Sequence, residues 1–440
     1  MRLASLQDDL AAKHRWMSGG CQVDSMWIAC TNPATRRKKR LCVNSSFIIH
    51  NYTVVRRWIL ISLLIVLLLG GGVLCAIRWQ AWFGNPPEPQ WTADTLDYHC
   101  YTFAADSLPH FVKTDSGWLD TQSPDTLQIL LLGDVHNSLL RADYDTLAAR
   151  LPHLDCYAQL GDYIERGYFY YFQQLYHQLA GSAFDSLPLL NCPGNHEYRK
   201  GLRRTLTPLW YEAFPQPANG PADFIGTTYY VDFPHLRFIV IDTNGLQALH
   251  HFTRVNTWVN KTIKEAGDRF VVVMMHHPVF SSAVGRQNPM IYLTFREPLR
   301  HADLVFAGHD HNYCRRLPFV NTNSATKYYL NKVNPRDERI CSGHRMYEVL
   351  DIVADTLTMR TFLLETGTLY DEVRIVRQGK DHVVESDFVT TPEIIDFPAR
   401  YAGQNTLRVR RFLNRRAARL QADSMAQTTD SVAAVPNPAL

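Results

Sequence analysis

From residue 127 onward the chain is built of short, unbroken apolar runs, each closed by a polar signature. LQILLL (127–132), CYAQL (156–160), LPLLN (187–191), RFVVVMM (269–275) and ADLVFA (302–307) are short runs, apolar at both parities, the pattern of strands covered on both faces. TYYVDF and LRFIVIDT on either side of Pro234-His235 predict a hairpin, and MYEVLDIVADTLTMRTFLLE predicts two more strands around a turn. Apolar residues at helical spacing mark 139–150, 167–180 and 253–266. Strands interleaved with helices predict an α/β fold.

Ahead of this block, residues 59–77 read ILISLLIVLLLGGGVLCAI and carry no charge. A run of about 20 apolar residues matches the hydrocarbon thickness of a bilayer, whereas a core helix of that length is seldom apolar on every face. Trp58, Trp79 and Trp82 flank it as an interfacial aromatic belt would. Seven Lys or Arg between Arg36 and Arg57 precede the run and only Arg78 follows closely, which predicts a cytoplasmic N-terminus and an extracytoplasmic remainder. The run is longer than a signal-peptide core, no small-x-small cleavage site follows it, and Leu74 before Cys75 argues against lipidation. The expectation is a single-pass signal-anchor.

The chain then divides into a basic lead (1–57, expected to be disordered), a transmembrane helix (58–79), a linker and lead-in (80–124) opened by Gly84-Asn85-Pro86-Pro87-Glu88-Pro89, a globular domain (125–376), and a C-terminal extension (377–440). A formal net charge of +3 gives no sign of a nucleic-acid partner, because the positive charge is concentrated near the two ends. In the extension, 407–420 carries six Arg interleaved with Leu and Phe, which suits either an amphipathic helix on an anionic membrane surface or a solvated tail. Five cysteines lie beyond the apolar run, without close-spaced pairs. They are expected to be buried thiols, with one disulfide as the alternative.

The chemistry lies where the strands stop. The five runs end in Gly133-Asp134-Val135-His136, Gly161-Asp162, Pro193-Gly194-Asn195-His196-Glu197, His276-His277-Pro278 and Gly308-His309-Asp310-His311. One strand-end Asp or His is an ordinary cap. Five strand ends, all polar, at the edge where α/β sheets bind ligands, are not explained by turns. Asp134 and His136, and likewise His309 and His311, stand two apart and face one side of an extended segment. Carboxylates, an amide and imidazoles without thiolates suit borderline divalent ions such as Mn, Fe or Zn. There are too many donors for one ion; two ions roughly 3.5–4 Å apart fit a two-metal displacement at phosphorus.

Taken in order, these blocks resemble the calcineurin-like metallophosphoesterases: D-x-H as Asp134-Val135-His136, then Gly161-Asp162, Gly194-Asn195-His196-Glu197, a lone His, and Gly308-His309-Asp310-His311. The resemblance covers roughly 125–375 and is closest to the bacterial phosphodiesterase-like and general phosphohydrolase branch. It implies a four-layer α/β/β/α sandwich of two packed mixed sheets flanked by helices. It also implies one metal on Asp134, His136, Asp162 and His311, and a second on Asp162, Asn195, His276 and His309, with Asp162 bridging. His276 competes with His277, and the family's spacing of two before Pro selects His276. His196 would protonate the leaving oxygen; its alternative is a cap after a turn.

Asp162 is followed by Tyr163-Ile164-Glu165-Arg166-Gly167, which resembles the GDxxxRG stretch of serine/threonine phosphatases. Arg166 is accordingly a candidate to fork onto phosphate oxygens, or to pair with a carboxylate. The expected activity is hydrolysis of a phosphomono- or phosphodiester. A phosphoprotein phosphatase and an inactive, metal-stabilised, membrane-tethered binding module are the alternatives, the last disfavoured because every ligand position is filled.

Overall fold

The computed structural model describes residues 58–68, 70–71, 96, 98–199, 204–329, 331–332, 334, 336–379, 381–386, 393–394 and 414. Residues 1–76 and 77–440 form separate units. In the first, 58–68 and 70–71 are helical, and 58–68 are exposed. The rest of the apolar run, 69 and 72–77, lies outside the described residues, as do the basic lead and, apart from Asn414, the Arg-rich segment. Among the described residues no helix is long and apolar enough to cross a membrane.

In the second unit, parity along the strands decides the layers. In the strand Thr126–Leu132, Ile129 and Leu131 face one way, and Leu130 and Leu132 the other. In Leu236–Ile241 and Phe270–Met275, Phe238, Val240, Val272 and Met274 join the cluster that holds Ile129 and Leu131. The residues between them, Ile239, Ile241, Val271, Val273 and Met275, pack instead on Val255, Val259, Phe295 and Leu299 of the helices Leu249–Lys264 and Pro289–Leu299. Leu130 and Leu132 pack on Tyr144, Leu147, Phe172 and Leu175 of the helices Arg141–Arg150 and Phe169–Leu179. The layers therefore run helix, sheet, sheet, helix.

Each sheet has seven strands. The first runs Asp381–Ser386, Leu369–Gln378, Thr356–Leu363, Met346–Val353, Thr126–Leu132, Cys156–Gln159, Leu189–Asn191. The last three are parallel, with Leu131 beside Ala158 and Ala158 beside Leu190, and the others pair antiparallel. The second sheet runs Arg339–Cys341, Tyr313–Arg316, Phe319–Asn321, Leu304–Ala307, Phe270–Met275, Leu236–Ile241, Tyr229–Asp232. Its central pairs are parallel, and the predicted hairpin of Tyr229–Asp232 with Leu236–Ile241 forms its edge.

Besides short strands such as Tyr313–Arg316, Phe319–Asn321 and Arg339–Cys341 of the second sheet, three features were not read from the sequence. The helix Pro289–Leu299 is one; another is the antiparallel pair Leu369–Gln378 with Asp381–Ser386, which carries the first sheet past residue 376. The third lies ahead of residue 125, where Phe111–Thr114 and Gly117–Asp120 form a hairpin and Phe103, Phe111 and Trp118 enter the core between the sheets. The five described cysteines are buried free thiols.

Polar groups also join the sheets. Arg315 Nε and the Tyr313 hydroxyl, on the second sheet, donate to Asp371 Oδ2 on the first, at 2.8 and 2.7 Å. Glu348, paired with Leu131, is fully buried; among the described residues neither of its carboxylate oxygens has a hydrogen bond of normal geometry, and the Thr322 side chain gives it only partial relief. Burial pushes its carboxyl up to about 8. A carboxyl raised in the folded state favours folding fully below its unfolded value. That advantage is lost as pH climbs towards 8, at about 1.4 kcal/mol per pH unit at most. Glu348→Gln should therefore stabilise the protein more at pH 8 than at pH 5. Thermal melts of both proteins at the two pH values check this, and equal shifts would show that Glu348 is not the titrating group.

Candidate metal centre

The parallel strands of both sheets release their chains at one edge, and the chain turns at once. Asp134, His136, Asp162, His309 and His311 all have left-handed backbone, with φ of 44°, 51°, 54°, 68° and 49°. Such residues without glycine's freedom cost roughly 1–2 kcal/mol each, so neighbouring contacts must hold them. The His136 N–H donates to Asp162 O at 2.8 Å, the Asn137 N–H to Tyr163 O at 3.0 Å, and the His309 N–H to Asp134 Oδ2 at 2.6 Å. The last of these joins the two sheets. Two glycines are needed for the approach. A Cβ on Gly308 would stand 2.3 Å from Asp134 Oδ2, and one on Gly194 would stand 2.1 Å from the Asp162 nitrogen.

The side chains then converge in two groups. Donor atoms of Asp134, His136, Asp162 and His311 all lie within 4.8 Å of one another. His136 Nε2 is 3.4 Å from His311 Nε2 and 3.6 Å from Asp162 Oδ2, and His311 Nε2 is 3.6 Å from Asp134 Oδ1. In the other group His276 Nε2 lies 3.2 Å from Asn195 Oδ1, 3.1 Å from His309 Nδ1 and 3.4 Å from Asp162 Oδ2. Asp162 Oδ2 thus belongs to both. Its other oxygen is engaged by the His196 N–H at 2.8 Å.

These donors fit divalent ions. Bonds of about 2.0–2.2 Å place neighbouring donor atoms roughly 3–3.5 Å apart, close to the spacings here. Asp134 Oδ1, buried among them, has no hydrogen-bond partner, which is costly unless a cation meets it. Three of the four candidate imidazoles are aimed by the far nitrogen. His276 Nδ1 sits 3.0 Å from Leu160 O, His311 Nδ1 3.1 Å from Lys327 O, and His136 Nδ1 3.2 Å from Glu165 Oε2. Burial holds His276, His309 and His311 below the usual imidazole range, which keeps them neutral and able to ligate. Burial, with the charge of Asp162 added, pushes Asp134 up. Burial raises Asp162 too, but the imidazoles of His276, His196 and His136 outweigh it and hold it low. A cation among the donors favours both carboxylates ionised.

His196 stands beside the centre. Its Nδ1 bonds the Glu165 carbonyl, and its Nε2 points inward, 3.9 Å from Asp162 Oδ2. His277, the competitor of His276, has Nδ1 on the Thr243 hydroxyl at 2.9 Å and packs its ring on His309, with centroids 4.4 Å apart. It is therefore a neighbour of the cluster and not turned fully away. Arg166 is half-buried next to Glu165 and helps lower that carboxyl.

Two residues were not singled out from the sequence. Glu197 is fully buried, and its carboxylate accepts the N–H of Asp162 (3.0 Å), Gly194 (2.6 Å) and Ile164 (3.2 Å). Its place directly after Asn195-His196 was the available signal. Arg286 comes from a loop without periodicity and lies with Nη2 2.8 Å from His309 Nε2.

Residues 127–313 match the family model described as calcineurin-like phosphoesterase. The chain is 27% identical over 146 residues to the glycerophosphodiester phosphodiesterase GpdQ of Enterobacter lignolyticus, covering 31% of this chain and 50% of that protein. It thus spans about half the length of this curated relative. Among solved structures, purple acid phosphatase PPD1 of yellow lupin aligns at 15% identity and a TM-score of 0.47, over 58% of this chain and 54% of that one. GAP50, the anchor in the inner membrane complex of Plasmodium, aligns at 14% and 0.43, over 62% and 98%. The family match begins in the strand that delivers Asp134 and ends just past His311, so the stretch that carries the cluster is the stretch that is similar to the calcineurin-like phosphoesterases.

Proposed function

We propose that the domain hydrolyses a phosphomono- or phosphodiester at a dinuclear centre. The observation that carries this is the position of Asp162 Oδ2, within 3.6 Å of His136 Nε2 and 3.4 Å of His276 Nε2, between the two donor sets. Asp134, His136, Asp162 and His311 would hold one divalent ion (Mn, Fe or Zn), and Asp162, Asn195, His276 and His309 the other. Bound ions supply positive charge to the phosphoryl oxygens and lower the pKa of water, so that it attacks phosphorus at neutral pH.

The protein's part is orientation and proton transfer. The His309 N–H fixes Asp134, and the His196 N–H fixes Asp162, each leaving one oxygen for the centre. The Glu165 carbonyl orients His196 so that Nε2 faces the substrate side, where its proton passes to the departing ester oxygen. Arg166 lies near this edge and supports the phosphoprotein-phosphatase alternative only through its resemblance. An inactive tethered module is disfavoured by the intact convergence of all seven candidate ligands and His196.

The anchor belongs to the same reading. The uncharged run at 59–77, with Lys and Arg ahead of it, supports a single membrane span with the catalytic domain extracytoplasmic. A reporter active only outside the cytoplasm, fused after residue 400, should be active. Activity of a cytoplasmic reporter alone at that position would reverse the topology.

The purified domain should contain close to two divalent ions by elemental analysis; a fully active preparation with one or none would exclude a dinuclear centre. Asp162→Asn should lose metal and activity together, for every leaving group.

His196→Ala should keep both ions and lower turnover by roughly 10²–10⁴-fold. The loss should be greatest for alkyl esters and least for nitrophenyl esters, whose leaving oxygen hardly needs a proton. Metal loss, or equal slowing of all esters, would remove His196 from that role.

A further inference from the structure

Arg286 is built into the site by contacts that do not satisfy it. Its loop is held to the second sheet through Asp310, the residue between His309 and His311. Asp310 Oδ2 accepts the N–H of Ser282 at 2.6 Å and of Ala283 at 3.2 Å, and Ser282 Oγ lies 3.3 Å from the same oxygen. Four residues after Ser282, the Arg286 guanidinium lies on the face of Tyr329, 4.3 Å from the ring centroid. Tyr329 in turn packs edge-on against His311, with ring centroids 4.8 Å apart. Arg286 Nη2 reaches the cluster, 3.0 and 2.8 Å from the two ring nitrogens of His309. Among the described residues Nε is buried without a hydrogen-bond partner, since Asp310 Oδ1, its ion-pair partner at 3.7 Å, is beyond hydrogen-bond reach.

An imidazole that ligates a cation has no lone pair left for a guanidinium, so His309 cannot be the lasting partner of Arg286 once it serves the centre. A guanidinium with unused donors beside such a centre matches an anion with oxygens in a plane. Lys327, exposed and 5.3 Å from the Tyr329 centroid, adds a second positive charge on this rim. The Glu165 carboxylate contacts other members of the cluster, His136 and His196, and has Arg166 beside it.

Resting on the hydrolase reading above, we propose that Arg286, not Arg166, is the residue that binds the phosphoryl group, with Asp310 and Tyr329 positioning it. The places of Arg286 and His196 set the substrate's direction. The phosphoryl oxygens lie towards Arg286, and the leaving group lies towards His196 and Glu165. A phosphomonoester dianion has one more non-ester oxygen and one more negative charge than a diester, so the basic rim favours the monoester.

Inorganic phosphate is the probe that does not depend on turnover. Titrated calorimetrically into the metal-loaded domain, it should bind the wild type. Arg286→Gln should bind it roughly 10–100-fold more weakly, the range for losing hydrogen bonds to a charged group, with metal content unchanged. Arg286→Lys should recover part of the loss, because it restores charge without the fork, and Arg166→Gln should change little. In kinetics, Arg286→Gln should lower kcat/KM for nitrophenyl phosphate more than for bis-nitrophenyl phosphate. Wild-type affinity in Arg286→Gln, or no phosphate binding by the wild type, overturns the proposal. Equal losses for the two esters overturn the monoester preference. A protein that binds phosphate through Arg286 yet cleaves neither ester upholds this site and fails the hydrolase reading instead.

Discussion

The carboxylate of Glu197 has no access to water, and burying it without donors would be prohibitive. Among the described residues it finds its donors in backbone N–H groups of Asp162, Ile164 and Gly194, which belong to loops leaving two different strands. That constraint draws the loops together until Gly194 touches the Asp162 backbone, an approach a side chain at 194 would prevent. The rest of the centre follows. Asp162 is pinned at its N–H by Glu197 and at Oδ1 by the His196 N–H, so Oδ2 has one direction left. Burial pushes Glu197 up to about 8, with the charge of Asp162 adding to it, while its three N–H donors pull the other way. Positive charge at the centre favours the ionised form of both.

The second sheet is brought to the same place by Asp134. It leaves the strand Thr126–Leu132 yet accepts the N–H of His309, which follows Leu304–Ala307 in the other sheet. This short charge-assisted bond, together with His276 Nδ1 on Leu160 O and the Ser324 N–H on Gly133 O, ties the sheets at their ligand-bearing edge. Arg315 with Asp371 performs a related task elsewhere between the sheets. The apolar core supplies most of the cohesion, because each well-buried Leu, Ile, Val or Phe is worth roughly 1.5–3 kcal/mol. It tolerates small slips, however, and directional bonds do not.

How far the sequence could be read follows the range of the interactions. Strands such as Phe270–Met275 are legible because burial on both faces leaves an unbroken apolar run. The ligands are legible because each follows such a run immediately. Arg286 is not, since its loop has no period and its partners, His309, Asp310 and Tyr329, are distant in sequence. Pro289–Leu299 is masked by prolines at both ends, the first at a position helices accept. The hairpin Phe111–Gly117–Asp120 sits behind a Pro-rich stretch that reads as linker, and only its partners in the core, Phe103 and Phe233, reveal it.

The left-handed turns explain why these motifs are compact. Five candidate ligands in a conformation that costs roughly 1–2 kcal/mol each place several kcal/mol of strain at one edge, alongside buried imidazoles kept neutral and a carboxylate pushed up by burial and by its neighbour. Such strain persists only where surrounding structure over-determines it. Here that structure consists of N–H donors from the turns themselves, received by Glu197, Asp162 and Asp134. Cations at the centre would bind the folded arrangement and not the unfolded chain, shifting the balance further towards the fold. The turns, the buried carboxylates and the metal sites are thus one linked equilibrium. Loosening any of them should be felt by the others before it is felt by the distant core.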